Sequence, residues 1–328
     1  MGLRGGIDLG GTKILAVVVG DDHEVLGQSR RPTPTDGGPP RVADALVEGL
    51  REAAEAAGAD VSNLDGVGIG APGAVDAKRG TVSHAPNLPD WERPFALATA
   101  VSGAAGTPAY LANDVGVAVD GEAALGAGKP YASFLGIWWG TGIGGHVVLR
   151  HRRWQGRGAA GEFGHMVVRL GGRPERGNAL TGTVEAYAGR RAMELQARDL
   201  QAKGHKTELF KLMEKKGADR LTSSVWQRAL DREDEVATKL IGRAIEVLGA
   251  GAASVANLLD LEAIVIGGGL ATRFGQPYAD RIAAAMRPHL FVPERPPEVC
   301  LAALGDYAGA IGATLLVSSR ARRRARAA

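Results

Sequence analysis

One pattern, a strand, a glycine-rich turn and a second strand, occurs twice in this chain and constrains its fold more than any other feature. Residues 4–19 are RGGIDLGGTKILAVVV, and residues 133–149 are SFLGIWWGTGIGGHVVL. In both segments the turn separates two runs rich in apolar and β-branched residues, which predicts a β-hairpin. Two such hairpins, each opening one half of the chain, indicate a duplicated fold.

The turns of these hairpins carry residues suited to binding phosphate. Backbone N–H groups and a hydroxyl there could lie against a phosphate, and Asp8 in the first strand could hold Mg²⁺ through water. Either hairpin alone could equally be a plain turn, whereas two such loops facing each other could clamp a polyphosphate from both sides. The residues concerned are Gly10, Gly11, Thr12, Gly140, Thr141, Gly142 and Gly144.

Between the two hairpins, a short apolar run ends at Asn113 and Asp114. Residues 115–125 after it have a helical pattern. A carboxylate in this position can cap the helix, and it can also be the centre of a reaction. We expect Asp114 to be catalytic, because it lies between two candidate phosphate-binding loops.

A second set of polar residues follows the second hairpin. Glu162 and His165 lie in the glycine-rich segment 161–165, and Glu185 opens a helix further along. Two carboxylates and an imidazole suit a ligand with several hydroxyls, because each hydroxyl offers a donor and an acceptor. Taken singly, these residues could instead be a surface charge, a buried structural histidine and an acid at a helix N-terminus.

The remaining patterns predict an α/β protein with strands and helices interspersed. Strands are predicted near Val25 and at 263–266 and 298–303, and residues 65–76 predict a buried strand that breaks into a glycine-proline turn. Helices are predicted from Pro39 to Gly58, from about Pro94, at 184–203, 206–217 and 222–230, from 232 and from 305. After the strand at 263–266, a flat ring or a ribose could lie on the bare backbone of Gly267, Gly268 and Gly269.

Composition predicts a soluble, cytoplasmic protein. The 328 residues, 45% of them hydrophobic, can fill two cores, and no run of about 18 apolar residues could span a membrane. The single cysteine, Cys300, excludes an intramolecular disulfide framework. The net charge of +3 depends on five arginines in residues 320–328, and subtracting them leaves −2. We therefore expect no nucleic-acid-binding face.

Six short motifs, in this order, resemble those of the ROK family of sugar kinases, in the actin, sugar kinase and Hsp70 superfamily. The likeness runs from Ile7 to about Val317, and the six together are far more specific than any one. The motifs are Asp8-Leu9-Gly10-Gly11-Thr12-Lys13, Ala85-Pro86-Asn87-Leu88, Asn113-Asp114, Gly140-Thr141-Gly142-Ile143-Gly144-Gly145, Gly161-Glu162-Phe163-Gly164-His165 and Ile266-Gly267-Gly268-Gly269.

The resemblance implies an α/β fold of two ribonuclease-H-like (actin-like ATPase) domains with a cleft between them. The last helix would return to the first domain. We expect a smaller domain at 1–114 plus 305–319, a larger domain at 115–304, and an Arg-rich frayed tail at 320–328. The helices from 184 to 230 resemble the region through which relatives dimerise, so we expect a homodimer or a higher homo-oligomer.

The resemblance also implies a role for each motif. Asp114 would take the proton from the 6-hydroxyl of a hexose, with ATP as phosphoryl donor. The nucleotide phosphates would be held by the two hairpins, with Lys13 and with Mg²⁺ on Asp8, and the adenosine would lie near Gly267, Gly268 and Gly269. The sugar hydroxyls would be bound by Asn87, Asn113, Asp114, Glu162, His165 and Glu185.

The chain departs from many relatives, in which the histidine and three following cysteines bind zinc. Arg176, Asn178 and Thr183 stand where these cysteines would be, and only Gly182 of that motif is kept. We therefore expect no zinc, and a segment 171–183 that packing and hydrogen bonds must order. His146, where a further glycine is common, is a smaller departure without an evident reason.

The leading hypothesis is an ATP-dependent glucokinase that makes glucose 6-phosphate for glycolysis. Kinases of mannose, fructose, N-acetylmannosamine and allose share these polar residues, so the hexose stays open. Some zinc-less relatives use polyphosphate; ATP is favoured because the segment at 267–269 is intact. Sugar-responsive repressors of the family carry a helix-turn-helix domain before the first hairpin, and only six residues precede Ile7 here.

Overall fold

The computed structural model describes residues 2–175 and 179–327, with side chains up to residue 317. Strands in this part of the chain are β1 (Arg4–Leu9), β2 (Lys13–Val19), β3 (Val25–Pro32), β4 (Val67–Ala71), β5 (Ala74–Asp76), β6 (Thr81–Ser83), β7 (Ala109–Asn113), β8 (Phe134–Trp139), β9 (Ile143–Leu149), β10 (Arg152–Arg153), β11 (Ala263–Gly267) and β12 (Glu298–Leu301).

Helices in the same residues are α1 (Gly38–Ala56), α2 (Leu97–Ala105), α3 (Asp114–Leu125), α4 (Val184–Ala188), α5 (Arg190–Ala202), α6 (Leu209–Lys215), α7 (Ser223–Leu230), α8 (Glu235–Leu259), α9 (Gly269–Phe274), α10 (Gln276–Met286) and α11 (Ala308–Ala327). Short 3₁₀ turns lie at Val61–Asn63, Phe163–His165, Arg287–His289 and Gly305–Tyr307. Within the described residues, no helix is both long and apolar enough to cross a membrane.

The chain divides into two compact units, Met1–Leu125 with Asp306–Ala328, and Gly126–Gly305. The sequence prediction ended the first domain at 114, so the structure moves α3 into the first unit. The reason is that α3 packs along α11, where a side chain at Gly312 would overlap the Val117 carbonyl oxygen. Helix α11 continues to Ala327, and the arginine side chains of the predicted tail lie outside the described ones.

The sheet of the first unit has the strand order β3-β2-β1-β4-β7. Strands β1 and β2 are antiparallel, as the hairpin pattern predicts, whereas β4 is parallel to both β1 and β7. Successive side chains of β2 point to opposite faces of the sheet, and both faces are covered. Ile14 lies in one hydrophobic cluster with Leu46 of α1, and Leu15 lies in another with Ala310 of α11.

Glycines let α11 lie directly on this sheet. A Cβ at Gly6 of β1 would collide with the Ala310 carbonyl oxygen, and one at Gly68 of β4 would collide with that of Ala313. The backbone of α11 therefore approaches two strands more closely than any other residue type would allow.

The sheet of the second unit has the order β10-β9-β8-β11-β12, so both units have one topology. Strands β8 and β9 are antiparallel, and β11 is parallel to β8 and β12. Helix α8 lies in the core of this unit, with Ile241, Ile245 and Leu248 buried.

The helix predicted at 184–203 is interrupted at Gly189, whose ψ of 135° is extended. The second hairpin explains the break. Arg190 and Arg191 donate their N–H groups to the carbonyl oxygens of Gly140 and Thr141, at 3.1 Å each, so α5 starts against the turn.

Candidate active site

Asp8 and Asp114 lie at the carboxyl edge of the first unit's sheet. Asp8 pairs with Gly70 of β4, and Asp114 directly follows β7, the next strand along. The pKa of Asp8 is raised to about 7, chiefly by burial and then by the negative charge of Asp114, although Lys13 lowers it. The charge of Asp114 therefore opposes ionisation of Asp8. Gly309 of α11 leaves room for Asp8, because a Cβ there would lie 2.6 Å from Asp8 Cγ.

This pair fits a bound magnesium ion. Mg²⁺ is usually held by one or two carboxylates together with water and substrate phosphates, and its charge would lower the pKa of Asp8. Among the residues described, no group of three or more His, Cys, Asp or Glu side chains could hold a metal on its own. Asp8 is the residue that would hold Mg²⁺ once phosphate supplies the remaining ligands.

Asn113 and Asp114 both contact the first turn of α3. The Asn113 side-chain oxygen accepts a hydrogen bond from the Gly116 N–H at 2.9 Å, which caps the helix. Asp114 Oδ1 accepts one from the adjacent Val115 N–H at 2.8 Å. The sequence allowed Asp114 to be the N-cap of α3. In the structure Asn113 makes that capping hydrogen bond, and Asp114 contacts the next N–H group.

The first hairpin closes a tight turn against the loop that carries Asn87. The Gly10 N–H donates to the Lys13 carbonyl oxygen at 3.0 Å, and no hydrogen bond of the described residues uses the N–H groups of Gly11 and Thr12. A Cβ at Gly11 would lie 2.8 Å from Asn87 Cβ. The candidate phosphate-binding turn therefore lies next to Asn87, a candidate sugar-binding residue.

Lys13 forms an ion pair with Asp306, just before α11. Its Nζ lies 2.9 Å from Asp306 Oδ2, and Arg30 Nη2 lies 3.2 Å from the same oxygen. The hydrogen bond from Lys13 is the largest cause of the lowered pKa of Asp306. A phosphate that used Lys13 would have to compete with this carboxylate.

The second unit gathers Glu162, His165 and Glu185 around a fourth residue, Glu175. His165 Nδ1 lies 2.8 Å from Glu175 Oε1, and Glu175 Oε2 accepts a hydrogen bond from Thr183 Oγ1 at 2.5 Å. Burial lowers the pKa of His165, but the hydrogen bond with Glu175 and the charges of the three glutamates outweigh it, so the pKa is raised. Burial is the main cause of the raised pKa values of Glu162 and Glu185.

Glu175 is a site residue that sequence reasoning missed. Its carboxylate is 1% exposed and the His165 side chain is 42% exposed, so a buried anion fixes Nδ1 and leaves Nε2 for a ligand. The one signal in the sequence is its position directly before Arg176, where zinc-binding relatives have their first cysteine. Arg176 and Asn178 lie outside the described residues.

Backbone hydrogen bonds order the described parts of segment 171–183. The Gly182 N–H donates to the Arg173 carbonyl oxygen at 2.7 Å, and its own carbonyl accepts from the Arg169 N–H at 3.1 Å. The Tyr187 hydroxyl accepts from the Arg173 N–H at 3.1 Å. Gly182 has a φ of 73°, and a Cβ there would collide with the Arg169 carbonyl oxygen. That no zinc binds here stays a prediction.

Glu185 connects this polar cluster to the second hairpin. Its Oε2 accepts a hydrogen bond from the Ile143 N–H at 2.7 Å, and a Cβ at Gly142 would collide with its carboxylate. The Gly140 N–H donates to the Gly142 carbonyl oxygen at 3.0 Å, whereas the N–H groups of Thr141 and Gly142 enter no hydrogen bond of the described residues. Two successive N–H groups at each turn are what anion binding requires.

The glycines at 267–269 lie beside this second hairpin. Gly268 has a φ of 90°, and a Cβ there would lie 2.7 Å from the Trp139 carbonyl oxygen. A Cβ at Gly140 would lie 4.0 Å from the Gly269 nitrogen. The second unit therefore brings two of the predicted nucleotide-binding segments together.

Strand β9 carries Gly144 and His146, and neither lies in the turn. Gly144 pairs with Trp138 within the strand. His146 is buried, and its Nδ1–H donates to the Ala160 carbonyl oxygen, with a Nδ1 to oxygen distance of 3.1 Å. A Cβ at Gly161 would lie 2.7 Å from His146 Cα. His146 therefore anchors the loop that leads to Glu162.

This burial predicts a pH dependence of stability. Burial is the main cause that lowers the pKa of His146 to about 4, so the unfolded chain takes up this proton first as pH falls. Its contribution is complete above about pH 6.5 and falls by about 3 kcal/mol by about pH 4. His146→Asn keeps a donor for Ala160 but cannot titrate. Denaturant unfolding at both pH values should show the variant losing less stability than the wild type on acidification; equal losses would contradict this role.

Two sheets of one topology, each opened by a glycine hairpin, make this an α/β protein of the actin-like ATPase fold. The chain belongs to the ROK family, whose sequence profile matches residues 4–320. This confirms the family predicted from the six motifs.

Several relatives are similar to the chain over nearly its whole length. A glucokinase of Streptomyces coelicolor is 33% identical over 318 residues, which cover 95% of this chain and 96% of the relative. A crystal structure of a ROK family glucokinase from Streptomyces griseus in complex with glucose and AMPPNP is 34% identical, with a TM-score of 0.81, covering 97% of this chain and 100% of that one. The ROK hexokinase of Thermus thermophilus is 34% identical, with a TM-score of 0.79 and coverage of 98% and 99%.

Proposed function

We propose that the chain is an ATP-dependent glucokinase, which phosphorylates glucose at the 6-hydroxyl. The observation that carries this proposal is the pair Asp8 and Asp114 at the sheet edge, since phosphoryl transfer needs a base for the hydroxyl and Mg²⁺ for the phosphates. The glucokinases of two Streptomyces species, 33% and 34% identical, support glucose as the acceptor.

In the proposed reaction, the 6-oxygen of the sugar bonds to the terminal phosphorus of ATP as the bond from that phosphorus to ADP breaks. Asp114 accepts the hydroxyl proton during this step. Mg²⁺, held by Asp8, would supply positive charge at the phosphates. Further hydrogen bonds to phosphate oxygens would come from the N–H groups that the fold leaves unused, those of Gly11, Thr12, Thr141 and Gly142.

Recognition of the sugar hydroxyls is proposed for the polar residues of the motifs. Hydroxyl groups can donate to the carboxylates of Glu162 and Glu185, whose charged forms burial disfavours. Nε2 of His165 is the ring nitrogen that remains for a hydroxyl once Nδ1 is bound to Glu175. Asn87, next to the first hairpin, and Asn113 complete the proposed set.

A positioning role for Glu175 predicts a defined kinetic effect. Glu175→Gln can still accept the hydrogen bond of His165 but removes the buried charge, so the pKa of His165 should fall. We expect KM for glucose to rise about tenfold and kcat to change less. The reason is that Glu175 orients His165, and His165 is proposed to bind the sugar already in the ground state. Steady-state kinetics and NMR titration of His165 measure both effects.

A matched control for this variant is Glu214→Gln, on the exposed side of α6 in the same unit. It should leave KM and the His165 titration unchanged. A Glu175→Gln protein whose His165 titration shifts while KM stays normal would contradict the role of His165 in sugar binding.

A coupled assay with ATP and Mg²⁺ over a panel of hexoses tests the proposed function. Glucose is expected to give the highest kcat/KM among glucose, mannose, fructose, N-acetylmannosamine and allose. Polyphosphate in place of ATP tests the donor, and ATP is the one we expect to be used. Absence of transfer from ATP to every hexose would overturn the proposal. The cytoplasmic location and the homodimer or higher homo-oligomer stay predictions.

A further inference from the structure

Arg190, the first residue of α5, is a cation at the second hairpin that is held by hydroxyl groups. Its Nη2 donates to Thr141 Oγ1 at 2.8 Å, and its Nη1 donates to Ser223 Oγ at 3.2 Å. In the part of the chain that the structure describes, no carboxylate lies within ion-pair distance of its guanidinium. The two hydroxyls fix the orientation of the guanidinium. Because they are neutral, they do not balance its positive charge, which an anionic ligand could do.

The surroundings of Arg190 disfavour an isolated positive charge. Burial is the largest cause that lowers its pKa; the nearby positive charge of Arg220 adds to this, and Glu194 opposes it. Glu194 is itself engaged, because its two oxygens accept hydrogen bonds from Arg198 and from the Leu221 N–H. An anionic ligand would relieve this unfavourable position.

The two hydroxyl partners place the guanidinium between two segments. Thr141 belongs to the turn whose N–H groups are unused, and Ser223 Oγ would lie 3.5 Å from a Cβ at Gly269. The first segment is the candidate for the phosphate chain and the second for the adenosine. In ATP, the phosphate that joins the phosphate chain to the adenosine is the α-phosphate, which is bonded to the ribose.

We propose that Arg190 binds the α-phosphate of the nucleotide, where the phosphate chain meets the adenosine. This inference rests on the proposed function, since it takes the second hairpin and residues 267–269 as the nucleotide site. The planar fork of a guanidinium matches two oxygens of one phosphate. The Thr141 and Ser223 hydroxyls act as positioning groups that hold the fork in place before the nucleotide arrives.

Arg190→Gln tests this assignment, because glutamine keeps a hydrogen-bond donor near the hydroxyls and removes the charge. We expect KM for ATP to rise about tenfold or more, with KM for glucose unchanged. The inhibition constants of ADP and AMP should rise by the same factor, whereas weak binding of adenosine should not change. Arg190→Lys should recover part of the ATP affinity, as a point charge without the fork.

Arg220→Gln is the matched control, because it removes an exposed positive charge that acts on Arg190. It should alter KM for ATP by less than about twofold, as expected for a solvated charge. Equal losses for adenosine and AMP in Arg190→Gln would overturn the proposal, since they would mean that Arg190 only supports the shape of the site. An unchanged KM for ATP would overturn it too.

Failure of the inference and failure of the proposed function give different results. A wild type that phosphorylates glucose while Arg190→Gln keeps its ATP affinity overturns the inference alone. If no hexose is phosphorylated, calorimetric titration with ADP still tests whether Arg190 binds the nucleotide. Tight binding to the wild type with a loss of about tenfold or more in Arg190→Gln supports the inference, and no binding to the wild type overturns it.

Discussion

Replacing Asp114 with asparagine is expected to lower kcat for hexose phosphorylation by about 100-fold or more, with little change in KM. Asparagine has nearly the shape of aspartate but cannot take the proton of the 6-hydroxyl. Steady-state rates with glucose, ATP and Mg²⁺ measure the effect. A variant with near-normal kcat would contradict the assignment of Asp114 as the base.

The contacts of Asp114 allow a chemical loss to be separated from a structural one. Its Oδ1 accepts the Val115 N–H, which an asparagine oxygen can also do, and the cap from Asn113 is untouched. Removing this charge should lower the pKa of Asp8 below about 7, and NMR titration of the carboxylates would detect that shift. Asp44→Asn, the same change at an exposed position of α1, should leave kcat unchanged.

Both hairpins could be predicted from the sequence because each is a local pattern. In the structure Leu9 pairs with Ile14 and Trp139 pairs with Ile143, so each pair flanks a short glycine turn. Placing Asp114 at the edge of a sheet likewise needed only a short apolar run followed by a helix. The polar residues at 162, 165 and 185 could be named as candidates from their types, because two carboxylates and an imidazole suit a ligand with several hydroxyls.

Contacts between distant segments could not be predicted in this way. Glu175 meets His165 because the intervening segment turns where the Gly172 N–H donates to the Arg169 carbonyl oxygen, and no periodicity in the sequence encodes that path. The break at Gly189 depends on the second hairpin, whose carbonyl oxygens accept from the first N–H groups of α5. The contacts of Arg190 could not be predicted for the same reason, because Thr141 and Ser223 lie on two other segments of the chain.

Gly312→Ala should destabilise the first unit by about 3 kcal/mol, the second large effect that we expect. Alanine ordinarily favours a helix over glycine by about 1 kcal/mol. Here its Cβ would overlap the Val117 carbonyl oxygen of α3, and a backbone oxygen cannot swing aside as a side chain can. Thermal unfolding should show a midpoint lowered by about 10 °C.

Gly103→Ala in α2 is the matched control, because a Cβ there meets no atom within 4 Å. It should raise stability by about 1 kcal/mol, so the same substitution is expected to have opposite signs in two helices of one unit. Helix α3 begins at Asp114, and Gly309 of α11 lies against Asp8. Forcing these helices apart should therefore also lower kcat at temperatures where Gly312→Ala is still folded. Equal stability of the two variants would mean that α3 and α11 do not hold the carboxylate pair in place.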